Sequence, residues 1–314
     1  MKILVTGGCG YKGSVLIPKL LNKGYEVTSF DTQWFGNYHQ ETKKLENIKG
    51  DIRDISKLNL KDFDTIIHLA NIANDPAVEL NPTMSWEVNV LASQQIADKA
   101  VREGVKHFIF ASSGSVYGIK EEEKVTEDLE LVPLSVYNKT KMVAERVFLS
   151  YANQMKVHCL RPATVCGLSP RMRLDVAVNM LTFQALQKGE ITVLGGQQTR
   201  PNIHIDDIAD MYIHLIENRD SISSGNYNAG FENISILDIA KTIQKEIDCK
   251  IVIKESNDPR SYRQDSQKIL DTGFKPKKSV SQAIKELIEA FKNGILIDKP
   301  EFHTVKWMKK NQFN

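Results

Sequence analysis

The chain has 314 residues, 41% of them hydrophobic, which is enough to bury a large core as one α/β domain or as a domain plus a smaller lobe. The formal net charge is only +2, and the lysines at 275–278 and 309–310 read as solvated, which disfavours partners such as nucleic acid or a membrane surface. No apolar run approaches the ~20 residues that span a bilayer. Cys9, Cys159, Cys166 and Cys249 form no CxxC pair, so a disulfide framework or zinc site is not expected, and the scattered histidines give no metal motif.

The chain opens on a strand-like KILVT with no charged-then-apolar leader, and a cytoplasmic protein is expected. Short β-branched runs then alternate with helical patterns. Strands are predicted at Lys2–Thr6, Glu26–Phe30, Thr65–Leu69, His107–Ala111 and Lys156–Leu160, and helices at Tyr11–Lys23, Trp86–Arg102 and Val136–Asn153. That alternation predicts an α/β fold, a Rossmann-like doubly wound parallel sheet over residues 1–165, with some later segments returning to it. Later segments read as Gly167–Pro170 (a breaker), Val176–Lys188 (helix), Ile191–Leu194 (strand), Ile208–Glu217 (helix) and Asn226–Ala229 (strand). Helices near 235–247 and 280–292 and a polar tail complete a smaller lobe, expected to be the substrate-binding part, over 166–314.

The first strand runs into TGGCGYKG. Gly7, Gly10 and Gly13 are spaced so that backbone N–H groups and a helix N-terminus can approach a pyrophosphate, with Tyr11 and Lys12 between them. Asp31 closes the second strand, where a carboxylate can accept hydrogen bonds from both hydroxyls of an adenosine ribose and would repel a 2′-phosphate. NAD is therefore favoured over NADP. Asp51 and Ile52, in GDIRD, are candidates for the adenine edge. Further on, Tyr137 and Lys141 are four apart in a helical segment and share a face. A tyrosine acting as a base at neutral pH needs its pKa lowered by ~3 units, worth ~4 kcal/mol, and a nearby ammonium favours the phenolate. Ser113, just past a central strand in SSGSVYG, stands where open sheets bind ligands.

Taken together, TGGCGYKG, Asp31, GDIRD, HLAN at 68–71, SSGSVYG, YNKTK, RPATVCG at 161–167, RPNIHIDDIAD at 200–210 and DPRSYRQDSQKI at 258–269 resemble the extended short-chain dehydrogenase/reductases, the NAD-dependent sugar-nucleotide epimerase/dehydratase family. SPRMRLDVAVN at 169–179 is most similar to a branch with sugar-nucleotide 4-epimerases and C4-dehydrogenases of nucleotide-linked heptoses. The resemblance implies Ser113, Tyr137 and Lys141 as the catalytic set. It implies an NAD site lined by Gly7, Gly10, Gly13, Asp31, Asp51, Ile52, Leu69, Ala70, Asn71, Asn89, Ala111 and Ser112, together with Tyr137 and Lys141. Asn179, Arg200 and Arg260 would hold the nucleotide diphosphate of the substrate. It also implies a homodimer formed through Trp86–Arg102 and Val136–Asn153, with Val88, Leu91, Met142 and Phe148 as candidate contacts. One departure is Cys166, where the family commonly has tyrosine; it reads as a small buried hydrophobe, as does Cys9.

The family's 4,6-dehydratases carry an Asp-Glu pair directly after the catalytic serine or threonine. Here those positions are Gly114 and Ser115, so dehydration is not expected. The expected chemistry is oxidation of a nucleotide-activated sugar, at C4, through a 4-keto intermediate. Epimerisation is the favoured outcome; a net C4-dehydrogenase or 4-ketosugar reductase is the alternative, and a non-catalytic NAD-binding sensor a remote one. The nucleotide base and the sugar are not assigned.

Overall fold

The computed structural model describes residues 1–255 and 261–311. Its centre is a seven-stranded, wholly parallel sheet in the order β10-β6-β5-β4-β1-β2-β3. The strands are β1 (Lys2–Thr6), β2 (Glu26–Asp31), β3 (Leu45–Lys49), β4 (Thr65–His68), β5 (His107–Ala111), β6 (Lys156–Pro162) and β10 (Gly225–Ala229). Strands β1, β4 and β5 are almost entirely buried on both faces, as helical crossovers on both sides of a parallel sheet require. Strand β3 was not foreseen because LENIK is a half-exposed edge with no clean apolar alternation.

Helices α1 (Gly13–Asn22) and α7 (Ile205–Glu217) cover one face, tied together by Lys19–Asp210 and Lys23–Glu217, both at 2.8 Å. On the other face, α2 (Asp75–Val78) and α3 (Pro82–Trp86) lead through a π-turn at Glu87–Leu91 into α4 (Ala92–Arg102), which packs beside α5 (Val136–Leu149). The helix predicted over Trp86–Arg102 is present as one continuous run with a π-turn at Glu87–Leu91. Phe148 anchors α5 to the sheet, with ring centroids 4.6 Å from Phe108 and 4.7 Å from Phe110. Both Phe148 and Val88 belong to this core. They are unavailable as dimer contacts because they are consumed within the chain, whereas Leu91 is exposed.

The smaller lobe holds α6 (Ala177–Lys188), α8 (Ile236–Glu246) and α10 (Val280–Lys292) around their own apolar core, with a two-stranded sheet of β8 (Glu190–Leu194) and β12 (Lys250–Lys254). Strands β7 (Thr164–Cys166), β9 (Thr199–His204) and β11 (Glu232–Ser235) form a third small sheet between lobe and main sheet. Later segments return to the main domain: β10 pairs with β6, and α7 packs on α1. A short α9 (Gln267–Leu270) precedes α10, and α11 (Thr304–Lys310) ends the described chain.

Three histidines lie inside the main domain. His68 bonds Thr6 Oγ1 (2.7 Å) and Ser93 Oγ (3.3 Å), while His107 and His158 bond each other at 2.9 Å. Burial lowers the pKa of all three below the ordinary 6.5, His68 to about 3. The native state therefore binds fewer protons than the unfolded chain below pH 6.5, so this stability is full above that pH and declines as pH falls through it. The urea midpoint is expected to be clearly lower at pH 5 than at pH 7.5, with a flatter profile for His68→Gln. Equal midpoints at the two pH values would contradict the neutral burial of these rings.

Candidate functional site

The carboxyl ends of β1, β2, β4 and β5 open into one cavity of about 790 Å³, near the top of the range small-molecule sites occupy (roughly 300–1,000 Å³). It runs from the glycine loop and Asp31 past Asn71 and Tyr137 to Arg200 on β9. At the dinucleotide end, two glycines are sterically obligatory. Gly7 has φ +71° and a Cβ there would lie 2.5 Å from Ala70 N; a Cβ on Gly13 would lie 2.2 Å from Gly8 O. Asp31 is held by the backbone N–H groups of Cys9 (3.0 Å) and Gln33 (2.6 Å). Burial raises the pKa of this carboxyl, while those two donors favour its charged form. Asp51 forms a forked pair with Arg53, and Ile52 beside it is buried.

The same wall carries buried polar atoms that no described residue satisfies: both amide atoms of Asn71 and the hydroxyl of Ser112. Unpaired buried polar groups are costly, so donors and acceptors left open at a strand end fit a polar ligand such as a dinucleotide. Lys12 also lines the cavity, with no hydrogen bond or ion pair among the described residues. Burial lowers its pKa to about 8, and the charge of Arg173 adds to the effect. An anion placed beside it would reverse both influences.

At the chemical end, α5 presents Tyr137 to the cavity and keeps Lys141 beneath it. The Lys141 ammonium donates to Ala111 O at 2.5 Å and lies 4.8 Å from the Phe110 ring centroid and 5.9 Å from that of Tyr137. Ser113 starts a short 3-10 turn, and its Oγ lies 2.8 Å from Ser115 Oγ, which donates to Asn138 Oδ1 at 2.7 Å. The expected lowering of the tyrosine pKa is not supplied by the side chains alone. Burial pushes the Tyr137 phenol up to about 12, against an opposing hydrogen bond from Ser113, and the Lys141 pKa falls well below its ordinary value through burial and the charge of Lys12. The spacing argument left out burial, which disfavours the charged form of both the phenol and the ammonium.

Of the residues expected at the site, Gly7, Gly10, Tyr11, Lys12, Gly13, Asp31, Asp51, Ile52, Leu69, Ala70, Asn71, Ser112, Ser113, Tyr137 and Arg200 line the cavity. Asn89, Ala111, Lys141 and Asn179 stand one layer behind it. Asn89 bonds both backbone groups of Ile72 and Thr140 Oγ1. Asn179 bonds Gly167 N, Tyr11 Oη and Arg173 O. Arg260 lies outside the described residues. Cys9 and Cys166 are buried free thiols whose pKa burial raises, Cys9 to about 12.

The cavity also contains residues that spacing did not single out. Arg173 pairs with Asp175 at 2.9 Å and 3.2 Å, and Arg171 lines the wall near Asp31. Two arginines separated by one residue in SPRMRLD were the available signal. Asp75, near Tyr137, accepts from Ser135 Oγ. Away from the cavity, His204, Asp206 and Glu286 bring ligand-type atoms together, but Lys278 bonds both carboxylates and makes this an ion-pair network.

Known proteins with this arrangement point the same way. The sequence model of the NAD dependent epimerase/dehydratase family matches residues 3–230. The chain belongs to that family. A UDP-glucose 4-epimerase of Lactobacillus helveticus is 28% identical over 88% of this chain and 92% of its own. UDP-glucuronic acid decarboxylase 1 of Arabidopsis thaliana is 28% identical over 94% of this chain and 71% of its own. Among solved structures, the UDP-glucuronic acid 4-epimerase of Bacillus cereus, in complex with UDP-glucuronic acid and NAD, is 30% identical, covers 93% of this chain and 99% of its own, and superposes with a TM-score of 0.81. The cofactor of this family member is NAD.

The helix that carries Tyr137 is fixed by a second polar clamp. Glu145 and Arg161, 1% and 2% exposed, form a forked pair at 2.9 Å, and Arg161 also donates to Tyr117 Oη at 2.7 Å. Glu145→Gln leaves a buried guanidinium without its counter-charge and is expected to cost about 3–5 kcal/mol of folding stability, read by urea unfolding. A loss under 1 kcal/mol would show the clamp to be incidental.

Proposed function

We propose that the protein is a 4-epimerase of a nucleotide-activated sugar, working through a 4-keto intermediate. The observation that carries this reading is a redox set without an elimination pair. Tyr137 and Ser113 meet at the cavity over Lys141, while positions 114 and 115 hold no acid. Ser115 is committed to Ser113 and Asn138, and a Cβ on Gly114 would meet the Gln264 amide at 3.2 Å and Pro162 O at 3.3 Å. The carboxylates that do line the cavity near Tyr137, Asp75 and Asp175, are engaged by Ser135 and Arg173.

The glycine loop, Asp31, Asn71, Ser112 and Lys12 would hold NAD, which supplies the hydride acceptor and then the donor. Tyr137 takes the proton of the sugar hydroxyl as the carbonyl forms and returns it in the reverse step. Ser113 hydrogen-bonds the same oxygen. Arg200, at the far end of the cavity, is suited to the diphosphate of the substrate, because its guanidinium fork matches phosphate oxygens. Turning the ketone over between the two half-reactions gives the epimer; its release gives a net dehydrogenase.

A second outcome has specific support. Oxidising C4 of a uronic acid creates a β-keto acid, which loses carbon dioxide without a dedicated acid–base pair, and decarboxylases stand beside epimerases among the relatives. Purified protein incubated with UDP-glucose, UDP-glucuronic acid and their GDP, CDP and dTDP counterparts is expected to yield a C4 epimer without net NADH. A 4-keto-6-deoxy sugar would overturn the reading, and a pentose with carbon dioxide would replace it by decarboxylation. Tyr137→Phe is expected to lower turnover about 10²–10⁴-fold with NAD affinity retained. Unchanged turnover would remove Tyr137 as the base.

A further inference from the structure

The family's sequence model ends at residue 230, but the cavity does not. Thr304, Val305 and Met308, on α11, line it together with Trp34 and Phe35 from the loop that follows Asp31. Four of the hydrogen bonds that seat this C-terminal segment reach the flanks of the Asp31 end of the cleft. Trp307 Nε1 donates to Trp34 O (2.8 Å), Tyr38 Oη to Glu301 Oε1 (2.9 Å), Leu174 N to Phe302 O (2.9 Å), and Arg171 Nη2 to Thr304 Oγ1 (3.2 Å). Every one of them ends on the loop after β2 or on 171–174, the two segments that flank the Asp31 end of the cleft.

Arg171 is the unusual member of this wall. It is 3% exposed, its guanidinium carbon sits 4.1 Å from the Phe35 ring centroid, and its Nε has no hydrogen-bond partner among the described residues. It makes no ion pair within bonding distance there, although the nearby Asp175 carboxylate favours its charge, and its remaining bond runs from Nη1 to Met172 O (3.2 Å). A buried guanidinium without a carboxylate partner is costly unless something else uses its charge and donors. Across the same end of the cavity stands Asp31, whose charge Arg171 favours. This end therefore offers an acceptor for ribose hydroxyls, a cation, aromatic and methionine surface, and a helix across them.

We propose that residues 300–311, with Arg171, belong to the dinucleotide site: they close the adenosine end of the cleft opposite Asp31 and slow the dissociation of NAD. The ligand they take is the adenosine diphosphate half of the cofactor. The proposal extends the epimerase reading, since an epimerase must keep its reduced cofactor between two half-reactions while a dehydrogenase must exchange it.

The test compares the full chain with Arg171→Met, Thr304→Val and a chain ending at His303. It measures the NADH dissociation rate by stopped-flow fluorescence and the affinities for ADP and for nicotinamide mononucleotide. Losing one hydrogen bond to a charged group predicts about tenfold faster NADH release in each point variant. ADP affinity is expected to fall in parallel, with nicotinamide mononucleotide affinity unchanged and thermal midpoints within a few degrees of the full chain. Folded variants that release NADH and bind ADP like the full chain would overturn the proposal. Should the shortened chain fail to fold, the point variants decide. A full chain that binds NAD tightly but yields net ketosugar would overturn the epimerase reading and leave this proposal standing; one that binds no NAD would overturn both.

Discussion

The site depends on how α5 is fastened to the sheet. Lys141 and Glu145 are one turn apart on its buried face, and each is spent on a strand: Lys141 on the carbonyl of Ala111 at the end of β5, Glu145 on Arg161 of β6. Burying either charge alone would be strongly unfavourable, so each bond is worth most as a constraint on position. Two such clamps fix both the rotation of the helix and its height over the sheet. That places Tyr137, one turn before Lys141, over the turn that begins at Ser113. The Arg161 guanidinium extends the constraint to the turn itself, through Tyr117. Gln264 then closes the far side by donating to Arg161 O (2.7 Å) and Asn228 Oδ1 (2.9 Å). Tyr137 and Ser113 are thus mounted on charged and polar contacts that lie outside the cavity lining.

Much of this was legible in the sequence because the relevant signals are local. GxxGxxG after a strand, an aspartate closing the next strand and a tyrosine four residues before a lysine are short patterns with a backbone reason behind each. What the sequence withheld was depth. Asn89, Lys141 and Asn179 belong to the site in the sense that they hold it, but their side chains are turned to Ile72, Ala111 and Tyr11 and not into the cavity. Residue type cannot separate an amide that binds a ligand from one that satisfies a buried backbone, because both need the same donor and acceptor. The π-turn at Glu87–Leu91 was equally hidden: its residues continue a helical pattern, and only Asn89 reaching back to Ile72 gives a reason for the extra residue in the turn.

Long-range pairings were the other blind spot. The tail from residue 301 carries no motif, yet Trp307 and Tyr38 join segments more than 260 residues apart in sequence. Strand β10 was expected over Asn226–Ala229, but not its pairing with β6, which is supported by Asn228 donating to Val125 O and Asp265 O. Such contacts are chosen by what the rest of the fold leaves unpaired, and a single sequence does not display that.

The electrostatics of the cleft link binding to chemistry. Arg173 disfavours the charge of Lys12, and burial together with the charge of Lys12 lowers the pKa of Lys141. Burial meanwhile holds the phenol of Tyr137 up at about 12. A diphosphate beside Lys12 would offset the repulsion, let Lys141 keep its proton and so favour the phenolate one turn away. The lysine inside the glycine loop would thereby link the two ends of the cavity, since an anion bound beside it would act on Lys141 and, through it, on Tyr137.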